Sequence, residues 1–165
     1  MFDLRENKLC SMDDKGRFRL PSSLVSQLGE EHAKEFVLHE AKDGPYLALY
    51  PKEVWKEKVD MYRKVNKEIP KYKRFLRQAL AGAVDVALDG SGRVQIPKQY
   101  LDKYNLEGSV KVLAWMDSIE LWNEKTLDAL EAEQDSQETP EDYSFEEMSE
   151  EIFGNLGSNK PDHEG

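Results

Sequence analysis

The chain has 165 residues, 39% of them hydrophobic and 34% charged, with a formal net charge of −10. That length suits one domain or two small ones with a modest core. With no apolar run near ~18 residues and no basic-then-apolar leader, neither a membrane span nor secretion is expected, and a cytoplasmic protein is.

Near the N-terminus the single Cys10 cannot form an internal disulfide, which fits a reducing compartment, and it is expected to be a small buried apolar residue. Residues 12–21 then read M-D-D-K-G-R-F-R-L-P. Asp13 and Gly16 are turn residues, the first able to bond nearby backbone N–H groups and the second tolerant of positive φ. Phe18 and Leu20 alternate with Arg17 and Arg19, the period-two pattern of a half-buried strand. Pro21 stops the strand and is expected in the first turn of a helix that carries Leu24 and Leu28 and closes at Gly29. A strand pair follows, with F-V-L at 36–38 and Y-L-A-L-Y at 46–50 flanking a turn at Asp43-Gly44-Pro45.

Residues 51–80 read as two helices. Trp55, Val59, Tyr62, Val65 and Ile69 fall at near-helical spacing after Pro51; Pro70 interrupts the pattern, and Tyr72, Phe75, Leu76, Ala79 and Leu80 resume it. From Lys52 to Leu80 there are ten basic and four acidic residues, net +6. This is either a solvated basic face or a surface on which Lys71, Lys73, Arg74 or Arg77 meets phosphates or an acidic neighbour. The apolar faces are wide enough to pack on the other half or on an adjacent protomer.

Residues 88–97, L-D-G-S-G-R-V-Q-I-P, repeat the first motif at an offset of 76 (97 − 21). Asp89 matches Asp13, Gly92 matches Gly16, Arg93 matches Arg17 and Pro97 matches Pro21. Tyr100, Leu101 and Tyr104 take the place of the first short helix, and Gly108 ends the segment. V-K-V-L-A-W at 110–115 and S-I-E-L-W at 118–122 form a tighter hairpin near Asp117, with Leu121-Trp122 matching Leu49-Tyr50. The duplication covers most of residues 5–125, so the chain uses one supersecondary unit twice.

Residues 117–165 hold 16 acidic and 2 basic side chains, net −14, which leaves +4 for residues 1–116. Local charge governs association, so an acidic total does not exclude nucleic acid as a partner. Leu127 and Leu130 can extend a helix, and D-S-Q-E-T-P-E-D then breaks it. Thr139-Pro140-Glu141 opens a further helix whose stripe is Phe145, Met148, Ile152 and Phe153, and the end from Gly154 is expected to be mobile. This tail is either an acidic solubilising extension or a helix that docks on a partner or on the basic segment.

Together, D-x-K-G-R-x-x-L-P, D-x-x-G-R-x-x-I-P, the linking stretch F-L-R-Q-A-L-A-G-A-V-D-V-A-L-D and the closing I-E-L-W resemble the bacterial MraZ proteins. The resemblance covers roughly residues 1–125. It implies an α+β fold of two tandem AbrB-like (SpoVT-AbrB) β-barrel halves related by pseudo-symmetry, with connecting helices and an acidic C-terminal tail. The boundaries expected are 1–52 and 81–125 for the halves, 53–80 for the connecting helices and 126–165 for a helical or partly disordered tail. It further implies a repressor of the division and cell-wall gene cluster, at the nucleoid, whose ring-shaped homo-oligomer contacts direct repeats of double-stranded DNA near its own promoter. Position 91 carries Ser where the first copy carries Lys15, so the second loop offers less charge. The tail is longer and more acidic than that family's usual ending.

The candidate DNA-binding residues are Arg17, Arg93, Lys15, Asp13 and Asp89, with Arg5, Lys8 and Arg19 secondary. A guanidinium offers five fixed donors that suit phosphate or the O6/N7 edge of guanine. The residues alone leave two readings open, an Arg–Asp salt bridge with no ligand and an Arg presented to DNA; the resemblance favours the second. Asp13 and Asp89 serve more simply as loop caps that brace the Arg than as direct contacts. The helical faces of residues 54–80 are expected to form the ring interface. An enzyme is not expected. His32, His39 and His163 stand alone, so no metal is implied; Gly90-Ser91-Gly92 lacks the Gly-Lys-Ser/Thr of a phosphate loop, so no cofactor is; and Ser91 has no His base. The alternative function is an AbrB-like antitoxin or scaffold module that binds a protein partner through the acidic tail.

Overall fold

A computed structural model describes residues 1–136, 147 and 150–154. The chain divides into two compact units, residues 1–127 and 128–165. In the first, β1 (Leu4–Ser11), β2 (Arg17–Arg19), α1 (Ser22–Leu28), β3 (Glu35–Glu40) and β4 (Leu47–Pro51) make the first copy. The connecting helices α2 (Lys52–Tyr62) and α3 (Pro70–Leu80) follow. The second copy is β5 (Val84–Ala87), β6 (Arg93–Gln95), α4 (Lys98–Lys103), β7 (Ser109–Met116) and β8 (Ser118–Trp122), and α5 (Glu124–Ser136) comes last.

The local readings translate directly into elements. Phe18, Leu20, Val94 and Ile96 are buried while Arg19 and Gln95 are exposed, as period-two alternation requires. Leu24 and Leu28 bury one face of α1, and Tyr100 and Leu101 that of α4. Pro21 and Pro97 sit one position earlier than expected. Each is the residue before the first turn, with ψ of 134° and 140°, because an extended proline carries the strand into the helix start. Cys10 is buried in the core, and burial pushes its thiol pKa up.

What the local pattern could not specify is who pairs with whom. The six-stranded antiparallel sheet has the order β1-β7-β8-β4-β3-β5, and β2 and β6 form a separate two-stranded ribbon. β1, from the first copy, pairs with β7 of the second, and β5, from the second, pairs with β3 of the first. Each copy therefore completes the other's hairpin. A pseudo-two-fold relates them: Phe18 pairs with Val94, and 94 − 18 is the repeat offset of 76. At the middle of the sheet Ala48 pairs with Glu120, where shorter second-copy loops have reduced the offset to 72 (120 − 48). The architecture is mixed α+β. The β-barrel halves expected do not appear as closed barrels among the described residues: the six-stranded sheet is open, with β1 and β5 as its edges.

One core serves both copies: Leu4, Phe18, Leu20, Phe36, Leu38, Leu49, Val94, Ile96, Val112, Ile119 and Leu121 belong to a single cluster. On the opposite face of the sheet Trp55 of α2 stacks on His39, with ring centroids 5.8 Å apart. The helical stripe expected to run to Ile69 stops at Tyr62. Asn66 accepts the Glu68 N–H at 3.0 Å in a side-chain turn, and Pro70 holds Ile69 extended, which ends helical geometry before α3 begins. Neither connecting helix has a fully buried residue. In the second unit residues 150–154 are helical, with Ile152 and Phe153 exposed; the expected helix start at 139–141, Phe145 and Met148 lie outside the described residues.

The two matched glycines are not equivalent. Gly16 (φ +74°) and Gly92 (φ +75°) both occupy the left-handed region. A Cβ on Gly16 would lie 2.4 Å from Leu101 Cδ1 and 3.2 Å from the Ile96 carbonyl oxygen, whereas one on Gly92 would meet nothing within 4 Å. Gly16→Ala should thus lose about 1 kcal/mol more stability than Gly92→Ala, the added overpacking being relieved in part by movement of the Leu101 tip. Urea unfolding of the two variants tests this; equal losses would contradict it.

Candidate nucleic-acid interface

The ribbon of β2 and β6 puts both loops of the repeat side by side. Its register pairs Arg17 with Gln95 and Arg19 with Arg93 around the central Phe18–Val94 pair. Since Phe18 and Val94 point into the core, Arg17, Arg19, Arg93 and Gln95 share the outward face.

Each loop is closed by the same bonds. The Asp13 N–H donates to the Arg17 carbonyl at 2.8 Å, and the Asp89 N–H to the Arg93 carbonyl at 3.0 Å. Asp13 Oδ1 accepts the backbone N–H of Lys15 and of Arg17, both at 2.9 Å, while Oδ2 accepts Arg17 Nε at 2.8 Å. Asp89 repeats this with Ser91 at 2.8 Å, Arg93 N–H at 3.0 Å and Arg93 Nε at 2.9 Å. The sequence expectation that the Asp caps the loop and braces the Arg four residues on describes this geometry. Because Asp takes the Nε side, the Nη groups of Arg17 find no acceptor among the described residues. The two arginine side chains are 25% and 32% exposed, enough to meet a ligand without being loose.

A cross-copy contact was not visible in the sequence. Arg93 Nη1 lies 3.6 Å from Asp13 Oδ2, so Asp13 faces both guanidiniums while Asp89, among the described residues, serves only its own. The ribbon register creates this contact; no sequence spacing of 80 residues could announce it. The Lys15 carbonyl accepts Gln95 Nε2 at 3.4 Å, and its side chain is exposed. Arg5 lies near the far end of β1 from the loop and pairs with Asp3 at 3.6 Å, and Lys8 is exposed midway along that strand. Lys71, Lys73, Arg74 and Arg77 are exposed on α3.

Both loop carboxylates are held below the usual aspartate range. For Asp13 the largest cause is the Arg17 backbone N–H, then its guanidinium and the Lys15 N–H; for Asp89 it is the Arg93 N–H, then the Ser91 N–H and the guanidinium. A carboxylate depressed on folding contributes stability above its unfolded pKa of about 3.9, and that contribution is lost as pH falls through the lower folded value. The loops should therefore keep their bracing unchanged from pH 8 to pH 5 and lose it only once pH falls below the ordinary aspartate pKa of about 3.9. Carboxyl-carbon NMR titration should give midpoints for both residues below that of an unstructured aspartate; a midpoint at or above it would contradict the geometry.

Comparison with known proteins bears on this site. The family model described as MraZ protein, with an antitoxin-like label, matches residues 79–148, a span that contains the second loop. The chain is 32% identical over 149 residues to the transcriptional regulator MraZ of Phocaeicola vulgatus, covering 90% of this chain and 92% of that protein. This chain belongs to the MraZ family. The transcriptional regulators MraZ of Christiangramia forsetii and Flavobacterium psychrophilum are 30% and 27% identical, over 88% and 92% of this chain and 90% and 92% of theirs. Among the described residues of this MraZ family member no helix is long and apolar enough to cross a membrane.

Proposed function

We propose that this MraZ family chain is a DNA-binding transcriptional regulator, a repressor that grips repeated promoter sites through its two Asp-x-x-x-Arg loops. The observation that carries the proposal is the pair of half-buried, Asp-braced arginines on one outward ribbon face, each engaged at Nε, with the Nη groups of Arg17 lacking an acceptor among the described residues and Arg93 Nη1 3.6 Å from Asp13 Oδ2. A two-stranded ribbon fits the major groove, and a guanidinium fixed at Nε loses little entropy when its Nη edge meets phosphate or guanine. The names of the relatives, transcriptional regulators, support regulation of transcription. In this reading Arg17, Arg93 and Lys15 contact DNA, and Asp13 and Asp89 position the arginines. The two copies, residues 1–52 and 81–125, are AbrB-like halves joined by 53–80 and followed by the tail at 126–165. The protein acts at the nucleoid on the division and cell-wall gene cluster, without catalytic turnover.

A single ribbon makes few contacts, so affinity comes from joining protomers in a closed ring on directly repeated sites. The exposed aromatic side of the connecting helices is the interface assigned to that ring. Phe75 is 49% exposed and meets Tyr62 edge-on at 5.7 Å, and Tyr72 and Met61 are exposed beside them. Phe75→Glu is expected to give smaller species in analytical ultracentrifugation with an unchanged circular dichroism spectrum. Retention of the wild-type sedimentation coefficient would move the interface elsewhere.

The experiment for the function itself is fluorescence anisotropy on the chain's own upstream region and on a scrambled duplex, across a salt series. Preference for the native repeat-containing duplex, with log K falling linearly with log salt, is the expected result. Equal affinity for both duplexes would overturn sequence-specific regulation.

A further inference from the structure

We propose that Arg19 and Gln95 read base edges and give each ribbon's DNA site a direction; this rests on the DNA-binding function proposed above. The pseudo-two-fold passes through the Phe18–Val94 pair, so it exchanges Arg17 with Arg93 and Arg19 with Gln95. The first exchange is between identical residues, and the second is not. A ribbon with the same side chain at both positions would present one pattern to both DNA strands and select a palindrome. This one presents symmetric arginines flanked by chemically different ends.

The two ends are the side chains free to reach a base. Arg17 and Arg93 are tied at Nε to their aspartates. Arg19 is exposed and makes no hydrogen bond or ion pair with any described residue. Gln95 is exposed too, and among the described residues its amide has only one long bond of 3.4 Å, to the Lys15 carbonyl. Their chemistry selects different bases. Arg presents two parallel donors, which fit the O6 and N7 acceptors of guanine; Gln presents one donor and one acceptor, which fit N7 and N6 of adenine. Arg19 lies opposite Arg93, two residues from Gln95 on β6. Such diagonal neighbours are about 7–8 Å apart, or roughly two base-pair rises. Each ribbon thus recognises a guanine under Arg19 and, about two base pairs away on the other strand, an adenine under Gln95.

The test is selection and sequencing from a randomised duplex library with the full-length wild type, Arg19→Gln and Gln95→Arg, circular dichroism confirming the fold of each. The wild type should select a non-palindromic core. Arg19→Gln makes the ribbon symmetric and should give a palindromic core with adenine at both positions; Gln95→Arg should give guanine at both. Each changed position should show at least about a tenfold change in base preference. A palindromic wild-type core, or a core that neither variant alters, would overturn the directional assignment while leaving DNA binding in place. Failure of the wild type to enrich any sequence would instead remove the function on which the assignment rests.

Discussion

Substituting alanine for both Arg17 and Arg93 should lower affinity for the native upstream duplex at least about 100-fold, with the fold and oligomer unchanged. In the proposed complex each arginine contributes a bidentate edge worth about 1–3 kcal/mol at a base or phosphate, and the two losses add within every ribbon. The fold should survive because the loop itself does not depend on the guanidiniums. Asp13 and Asp89 still accept the backbone N–H groups of residues 15, 17, 91 and 93. The salt dependence should flatten as well, since fewer phosphates are neutralised. Asp13 faces both guanidiniums, so Asp13→Asn should weaken binding more than Asp89→Asn. Anisotropy beside sedimentation separates these effects. Wild-type affinity in the double variant with an intact oligomer would place the DNA contacts elsewhere.

The second large effect concerns stability. A fragment ending at residue 80 should not fold as a monomer. It keeps the β3–β4 hairpin, but β1 loses β7, β2 loses β6, β3 loses β5 and β4 loses β8. Phe18, Leu20, Leu38 and Leu49 would also lose the packing of Val94, Ile96, Val112 and Leu121, members of the same core. Burying one such side chain stabilises by about 1.5–3 kcal/mol, while the whole fold of a domain this size rests on about 5–15 kcal/mol. The fragment should therefore show strand signal only as concentration rises and a second copy supplies the missing strands. Circular dichroism melts at several concentrations, read with sedimentation, decide the matter. A cooperative, concentration-independent melt of a monomeric fragment would contradict the shared core.

The sequence alone determined what is decided within four or five residues. Asp13 and Gly16 set a turn, Arg17 follows at the distance its Asp can reach, Phe18 and Leu20 alternate inward, and Pro21 leads into a short helix; the second copy at Asp89–Pro97 does the same. These are local bonds, so the residues that make them carry the information by themselves. Charge distribution was equally legible, because it is a sum along the chain. Only the tertiary structure decided that β1 pairs with β7 and β5 with β3, and that Arg93 therefore approaches Asp13 across the ribbon. The same strands could satisfy the same alternation within their own copy, so nothing in either repeat distinguishes pairing within a copy from pairing between copies. That choice belongs to the joint packing of one core from both halves, a long-range free energy that period and turn chemistry do not encode. The exposed face of α3 follows the same logic. Tyr72 and Phe75 mark an apolar stripe at helical spacing, but whether a stripe is covered depends on where the sheet ends, and here the sheet leaves them to solvent.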